Sequence, residues 1–341
     1  ARSAWAGTGE QSIAPVYRLL RNELGDTPFI GYESLSADTT VTALIRDGQK
    51  VASLQEGEEG EVILAQTPFY AESGGQAADT GILESALWNA TVSGVRASVG
   101  KLIVHSVQVM QGAIQVGDPL NAQVDMPKRL ATQAHHTATH LLQAALQDIL
   151  GDHVHQAGSL VTPNRLRFDF THFEAIDAER LDDIERRVNQ FIRTDTPLDI
   201  SLMPIDQARS LGAMALFGEK YDDIVRVIRI GDISMELCGG THVQTTGHIG
   251  LFSLVSESSI SAGVRRIEAL CGEPAIDFIQ ARKHRLNVIS NALSVSVDDV
   301  DARVLTLVDE IKNLNREVAK WKQAAATGAS VDYLSRIIDV N

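Results

Sequence analysis

The chain has 341 residues and a formal net charge of -14, and apolar and charged residues make up 44% and 22% of it. This length indicates two or three domains, and the composition is that of an ordinary water-soluble protein with no apolar run near the ~18 residues of a membrane span. The acidity argues against broad nucleic-acid binding, which needs many Lys and Arg side chains at phosphates.

Any nucleic-acid partner must therefore meet a local basic patch, for which Lys128 with Arg129 is one candidate. Only Cys238 and Cys271 are present, too few for a disulfide framework, and this predicts a reducing, cytoplasmic location. The chain opens ARSAWAGTGEQ, without an initiator Met or a signal peptide. We therefore expect it to be a piece of a longer protein.

Residues 1–36 predict one amphipathic helix that ends near Gly25, the tail of a preceding domain. Residues 37–126 predict a small β-barrel, because short β-branched runs alternate with Gly and Asp turns. These runs are VTALI, EVILA, ATVSGV, KLIVHSVQV and NAQVD. The polar segment TPFYAESGGQAADTG between two of them is either a long hairpin loop or a connector whose glycines allow close backbone approach.

Residues 127–273 predict an α+β domain around a mostly antiparallel sheet. The segment KRLATQAHHTATHLLQAALQDIL has helical periodicity, LRFDF alternates as a strand, and a second helix follows with Leu181, Ile184, Val188 and Phe191 on one face. Further strands are predicted at IVRVIRI, SMELC, GLFSLVSE and GVRRIEAL.

Residues 274–341 predict a helical hairpin and linker. The second helix carries an apolar heptad seam, which includes Val304, Ile311 and Leu314, and Ser296 with Asp299 forms a capping-box pattern before it. An antiparallel hairpin would bury this seam within the chain. The alternative is a homodimer through the C-terminal helices.

Two liganding pairs with the same spacing lie in the third segment. His136 and His140 are one helical turn apart, separated by about 40° around the axis, so they project from one face and can bind one ion. His135 lies off that face and is the poorer partner. Cys238 and His242 flank a Gly-Gly turn that can bring both to the same point. One thiolate with three imidazoles predicts a single tetrahedral Zn²⁺.

Several longer motifs carry a family resemblance. TPFYAESGGQAADTG, HTATHLL, HQAGSLV with LRFDF, ELCGGTHV and SAGVRRIEALCG resemble, in order, the editing region of alanyl-tRNA synthetases, over roughly residues 28–325. The resemblance implies zinc-dependent hydrolysis of tRNA(Ala) mischarged with serine or glycine, with Thr139 and Gln156 lining the amino-acid pocket. It implies no ATP-dependent aminoacylation in this chain. The implied zinc ligands are His136, His140, Cys238 and His242.

Three questions stay open at this level. The Thr139 hydroxyl either binds the serine side chain or bonds back to the carbonyl of His135. Four protein ligands describe a closed structural zinc site, whereas a hydrolytic zinc keeps a position for water, so zinc either activates water or positions substrate. The chain is a portion of a synthetase, a freestanding editing protein, or a zinc-stapled RNA-binding module without catalysis.

Overall fold

The computed structural model describes residues 15–214 and 221–328. Residues 1–14 and 329–341, which belong to the predicted N-terminal tail and C-terminal linker, lie outside the described ranges. The chain divides into two compact units, one up to Ile276 and one from Asp277. The α-helices of the described residues are α1 (Pro15–Leu24), α2 (Met126–Leu150), α3 (Ala178–Arg193), α4 (Ile205–Ser210), α5 (Glu273–Leu293) and α6 (Val300–Gly328).

The predicted β-barrel is confirmed. Its strands are β1 (Ser36–Arg46), β2 (Gln49–Val51), β3 (Ser53–Gln55), β4 (Glu59–Leu64), β5 (Gly81–Glu84), β6 (Asn89–Ala97), β7 (Ile103–Gln111), β8 (Ala113–Gln115) and β9 (Pro119–Val124). Six of them pair antiparallel in the order β1-β4-β7-β6-β5-β9, and β9 returns to β1 and closes the barrel. Closure leaves no unpaired edge along these strands.

Alternation along the strands fills the barrel with aliphatic side chains, and the predicted first helix covers part of its outer surface. Leu64, Val92 and Val107 belong to the interior cluster. Leu20 of α1 is buried in a second cluster together with Ile45 of β1. Helix α1 ends at Leu24, and the following Gly25 has a φ of 80°, as a helix-terminating glycine requires.

The following segment is α+β and antiparallel, as predicted, but it contains two sheets where one was expected. Its strands are β10 (Gln156–Val161), β11 (Leu166–Thr171), β12 (Leu198–Pro204), β13 (Ile224–Ile230), β14 (Ser234–Leu237), β15 (Phe252–Ser261) and β16 (Val264–Cys271). One sheet has the order β10-β11-β16-β15 and the other β12-β13-β14. Strand β12 was not predicted, although Leu198, Ile200 and Leu202 alternate along it, and in the structure Ile200 and Leu202 are 46% and 73% exposed.

Helix α2 is the central element of this segment. It contacts α3, strands β10, β11 and β16 of the larger sheet, and β14 of the smaller one. Ala134 to Leu146 are consequently buried all round the helix. Leu130, near the start of the helix, is 51% exposed, so not every apolar residue of the periodic segment is buried.

Arg129 of α2 joins the helix to the barrel, so the expectation of a basic surface patch at Lys128 and Arg129 is wrong. The Arg129 side chain is fully buried and forms an ion pair with Asp79. Its remaining donors bind the carbonyls of Gly31 at 2.6 Å and Pro68 at 2.9 Å. All three partners precede α2 in the chain, and therefore this guanidinium fixes how the barrel meets the helix.

Replacing Arg129 with Met is expected to lower the free energy of unfolding by about 3–5 kcal/mol. The change leaves the carbonyls of Gly31 and Pro68 without a donor, and the buried Asp79 carboxylate keeps the Tyr70 amide as its remaining donor. Urea denaturation followed by circular dichroism measures the change. The control is Lys128→Met, since the exposed Lys128 side chain contributes roughly 0–1 kcal/mol through its pair with Asp125. Equal effects of the two variants would contradict this role for Arg129.

The second unit contains the helices predicted after residue 274, but they do not pack as the expected hairpin. Along α6, Ile311 is 56%, Leu314 59% and Trp321 74% exposed, so the heptad seam is not buried against α5. The capping box also differs from expectation, because the Ser296 hydroxyl donates to the Asp299 carboxylate at 2.7 Å and not to a backbone acceptor or amide. The homodimer through these helices stays a prediction.

Candidate metal centre

The four side chains selected by their spacing meet at one point. The candidate ligand atoms of His136, His140, Cys238 and His242 all lie within 4.8 Å of one another. Cys238 Sγ is 3.4 Å from Nε2 of His136 and 3.4 Å from Nε2 of His242. Tetrahedral Zn–S and Zn–N bonds imply ligand separations of about 3.5 Å. The group could therefore hold one metal ion.

Each pair reaches the point by its local structure. His136 and His140 project from one face of α2 with nearly parallel rings 5.5 Å apart. Cys238 directly follows β14, and the chain then turns through Gly240 to His242. A Cβ at Gly240 would lie 2.0 Å from Cε1 of His136, so only glycine fits there. The imidazoles are almost fully buried, and Cys238 is half-buried.

A second layer of polar groups orients the imidazole rings. His136 Nδ1 lies 2.7 Å from Gln76 Oε1, and His140 Nδ1 lies 2.7 Å from Glu236 Oε2. Both oxygens only accept, so each Nδ1 carries the proton and each Nε2 keeps its lone pair for the centre. The Nε2 of His140 is buried without a hydrogen-bond partner in the described residues. A buried ring nitrogen without a hydrogen-bond partner is what a metal-binding histidine shows in the absence of its ion.

Gln76 comes from the Gly-rich segment between two barrel strands. Besides binding His136, its Oε1 accepts from the Thr241 amide at 2.9 Å, and its Nε2 donates to the Thr241 hydroxyl at 2.9 Å. The segment docks on β10, with Val161 N donating to Gly75 O at 2.7 Å. Gly75 has a φ of 81°, and a Cβ there would lie 2.5 Å from Ser159 O. Of the two alternatives for this segment, the structure therefore shows the connector whose glycines allow close backbone approach, and not a long hairpin loop.

Arg226 and Tyr32 hold the turn that carries Cys238. Arg226 Nη1 donates to the carbonyls of Cys238 at 2.9 Å and Gly240 at 2.8 Å, and the Tyr32 hydroxyl donates to the carbonyl of Gly239 at 2.5 Å. The guanidinium carbon also lies 4.1 Å from the centre of the Tyr32 ring. Three consecutive carbonyls are thereby satisfied by side chains, which fixes the turn before any ligand arrives.

The electrostatics favour the thiolate form of Cys238. Burial raises the pKa of this thiol, but its interactions with the imidazoles of His136 and His242 outweigh burial and hold the pKa well below its usual value. Burial lowers the pKa of His140, and the Glu236 carboxylate overcomes it and raises that pKa to about 10. A metal and a proton therefore compete for His140, while the thiolate is ready to bind.

The remaining predicted residues lie outside the ligand group. The Thr139 hydroxyl donates to the carbonyl of His135 at 2.9 Å, so the back-bonded geometry is present. Gln156 is half-buried at the first position of β10. His135 is outside the ligand group, because its Nδ1 donates to Ala131 O at 2.8 Å and its Nε2 accepts from the Cys271 amide at 3.0 Å. Cys271 is a buried thiol, 2% exposed.

Sequence reasoning missed the groups that support the ligands. Gln76, Glu236, Arg226 and Tyr32 belong to no spacing pattern with the ligands. Glu236 alone had a local signal, because it lies two residues before Cys238 on a strand and therefore on the same face.

Comparison with known proteins finds two family matches and a set of similar relatives. Residues 1–128 match the family described as tRNA synthetases class II (A), and residues 225–268 match the Threonyl and Alanyl tRNA synthetase second additional domain. An alanine–tRNA ligase of Acidithiobacillus ferridurans is 47% identical over 334 residues, which is 98% of this chain. The chain is similar to alanine–tRNA ligases along almost its whole length.

Two further relatives show the same extent of similarity. The alanine–tRNA ligase of Rhodopseudomonas palustris is 45% identical over 97% of this chain, and that of Methylococcus capsulatus is 46% identical over 92%. The chain spans 38%, 38% and 36% of the three relatives' own lengths, in the order given. No helix among the described residues is long and apolar enough to cross a membrane.

The match of residues 1–128 qualifies one expectation from the sequence. The chain does not consist of editing-type sequence alone, because its first third is shared with a class II synthetase family. The described part of that third, from residue 15, forms α1, the barrel and the first residues of α2.

Proposed function

We propose that this chain hydrolyses the ester of tRNA(Ala) mischarged with serine or glycine, the editing reaction of alanyl-tRNA synthetases. The observation that carries the proposal is the convergence of His136, His140, Cys238 and His242 on one point. The match to the second additional domain and the similarity to alanine–tRNA ligases support it. Similarity over 98% of the chain favours a portion of a synthetase over a freestanding editing protein.

Zinc is the ion that suits the donor set. A thiolate and three neutral imidazoles match its preference for sulfur and nitrogen, and the 3.4 Å separations match tetrahedral coordination. The orphaned Nε2 of His140 supplies the independent sign that an ion belongs there. When bound, zinc supplies a Lewis acid that polarises an ester or water oxygen.

The protein's own groups perform the positioning. Gln76 and Glu236 hold the Nδ1 protons of His136 and His140, which keeps both rings aimed at the centre. Thr139 donates its proton to a helix carbonyl, and its oxygen can still accept a bond from the hydroxyl of a serine substrate. Gln156 has no titratable proton near neutrality, so its part is to orient ester or water by hydrogen bonds.

An alanine-specific enzyme needs such a second site for a physical reason. A pocket shaped for alanine cannot strongly reject glycine, which is smaller by one methyl, or serine, which adds a hydroxyl. The second site must use another criterion, and hydrogen bonding to the serine hydroxyl supplies one.

The decisive experiment is deacylation of Ser-tRNA(Ala) and Gly-tRNA(Ala), with Ala-tRNA(Ala) as the matched substrate, before and after treatment with a chelator. We expect the serine ester to be cleaved at least about tenfold faster than the alanine ester, since an unpaired polar contact costs roughly 1–3 kcal/mol. Chelation should abolish the activity. Equal rates for both esters, or rates unchanged by the chelator, would overturn the proposal.

Thr139→Val tests the proposed discrimination. The serine-over-alanine preference should fall by about one to two powers of ten, because the serine hydroxyl loses its acceptor. The control is Thr132→Val, since Thr132 is buried in the same helix and donates in the same way to the carbonyl four residues earlier, Lys128 O, at 2.9 Å. If both variants keep the preference, the Thr139 hydroxyl bonds only to the carbonyl of His135 and takes no part in substrate discrimination.

The closed set of four protein ligands is also compatible with a second function. Such sets are typical of structural zinc, and a zinc-stapled RNA-binding module without catalysis would contain the same cluster. The two functions differ in what loss of one ligand does to the fold.

A further inference from the structure

A pair of histidines lies outside the metal centre, between the end of helix α2 and the end of strand β11. His153 Nε2 and His172 Nδ1 are 2.9 Å apart, with ring centres 5.2 Å apart and ring planes inclined by 26°. His172 is 8% exposed, whereas His153 is exposed. Neither histidine belongs to the ligand group, and the proposed reaction uses neither.

The surroundings of His172 set the direction of this hydrogen bond. Its Nε2 is buried and has no hydrogen-bond partner in the part of the chain that the structure describes. A proton on that nitrogen would be a buried donor without an acceptor, so the proton lies on Nδ1 and is donated to Nε2 of His153. Burial, and after it the neighbouring His153, lowers the pKa of His172. His172 is therefore uncharged at neutral pH, as this bond requires.

The backbone beside the pair, residues 153–155, is bound to the end of β11. The Thr171 hydroxyl donates to the carbonyl of His153 at 2.7 Å and accepts from the amide of His155 at 3.0 Å. The Thr171 amide donates to the carbonyl of His155 at 2.9 Å. Together with the imidazole bond, these contacts attach the 153–155 segment to Thr171 and His172.

The same segment is also bound to α2. The Val154 carbonyl accepts from Gln143 Nε2 at 3.1 Å and from Gln147 Nε2 at 2.9 Å. Gln143 lies four residues after Thr139 and seven after His136, so it projects from the helix face that carries the metal ligands. The 153–155 segment thus connects this face of α2 to β11.

Gln156 directly follows the segment and depends on it for its position. Gln156 pairs with Phe170 and Gly158 with Asp169, so Ala157 is the extra residue of a β-bulge. The bulge interrupts the ladder immediately after Gln156, and bulges change the direction of neighbouring side chains. The rest of β10 therefore constrains Gln156 little, and the residues before it constrain it most.

We propose that His153 and His172 are positioning residues, whose hydrogen bond sets the direction of the Gln156 side chain and thereby the rate of ester hydrolysis. This role rests on the proposed function, in which Gln156 orients ester or water. The two imidazoles act through the backbone of the 153–155 segment.

The first test is the rate of Ser-tRNA(Ala) deacylation by the zinc-loaded full chain. His153→Leu removes the acceptor of the bond, and the fold should persist because this residue is exposed. We expect the rate to fall about tenfold, since a misplacement of about 1 Å can cost up to about a hundredfold. His153→Gln should restore most of the rate, because its amide oxygen can accept from Nδ1 of His172.

Asp152→Leu is the matched control and should keep the parent rate. It also introduces an exposed leucine, and it lies directly before His153. The Asp152 side chain has no hydrogen-bond or ion-pair partner within residues 15–214 and 221–328. A parent rate in His153→Leu, or an equal loss in His153→Gln, would overturn the proposed role.

A double-mutant cycle shows whether the pair acts through Gln156. Gln156→Ala should itself slow deacylation, and adding His153→Leu should then change the rate less than about twofold, because the side chain that the pair directs is gone. An equal loss in both backgrounds would mean that the pair supports the fold alone. That result, or a parent rate in Gln156→Ala, would contradict the role in hydrolysis.

The NMR signal of the Gln156 side-chain amide provides a readout that needs no activity. Glutamine labelled with ¹⁵N supplies the spectrum, and the signal is assigned by its loss in Gln156→Ala. It should move in His153→Leu and keep its position in His153→Gln and Asp152→Leu. A signal that does not move in His153→Leu would refute the positioning, even where deacylation is present. A signal that moves in a protein without deacylation would refute the editing activity and leave the positioning in place.

Discussion

Replacing Cys238 with alanine is expected to abolish zinc binding and to lower deacylation of Ser-tRNA(Ala) at least about a hundredfold, while the folded structure persists. Even groups that only orient a metal ligand contribute 10–100-fold to affinity or activity, and the thiolate is itself a ligand. The fold should survive because the barrel interior and the core around α2 are extensive clusters of buried side chains, and Cys238 only packs against the edge of the second.

Zinc content by atomic absorption, circular dichroism and the deacylation rate are measured on the same preparation. Cys271→Ala is the matched control, because Cys271 is buried, lies outside the ligand group and contacts His135 through its backbone amide alone. That variant should keep zinc and activity. Unfolding of Cys238→Ala would instead identify the zinc as a structural staple and favour the non-catalytic RNA-binding module.

Gly240→Ala is expected to reduce zinc affinity about a hundredfold and to remove most of the deacylase activity. Its Cβ would lie 2.0 Å from Cε1 of His136 and 2.9 Å from Oε1 of Gln76. One added methyl group therefore displaces a ligand and the side chain that orients it, and both contribute to metal affinity. Backbone strain does not contribute, because the φ of Gly240 lies outside the left-handed region.

Competition with a chromogenic zinc chelator measures this affinity. Gly239→Ala is the control one residue away, where a Cβ meets nothing within 4 Å, and its affinity should stay within about twofold of the parent. If both variants bind zinc alike, the ring of His136 is not held against this turn and the proposed geometry is wrong.

The two ligand pairs were predictable from sequence because each is local. His136 and His140 share a helix face, and Cys238 and His242 flank a tight turn, so spacing alone relates the members of each pair. Helix α3 and strands β11 and β13 were predictable for the same reason, since burial of one face imposes a period on neighbouring residues. The rejection of His135 as a ligand also followed from helix geometry.

The exposed C-terminal seam shows what a periodic pattern does not predict. The heptad pattern correctly predicted a long helix at α6, but a pattern does not say which surface covers it. Leu314 and Trp321 stay exposed in the described residues. Packing partners are a property of the folded molecule, and a seam has the same sequence whether it is covered or bare.

The amino-acid sequence by itself thus determined the five longer helices, most strands and the four candidate ligands, because these depend on contacts between residues close in the chain. Only the tertiary structure showed that Gln76 orients His136 from 60 residues away and that Tyr32 binds the Gly239 carbonyl from 207 residues away. Such contacts have no period and no fixed spacing. They exist because Arg129 and the Gly-rich connector hold the barrel against α2, so that distant segments share one site.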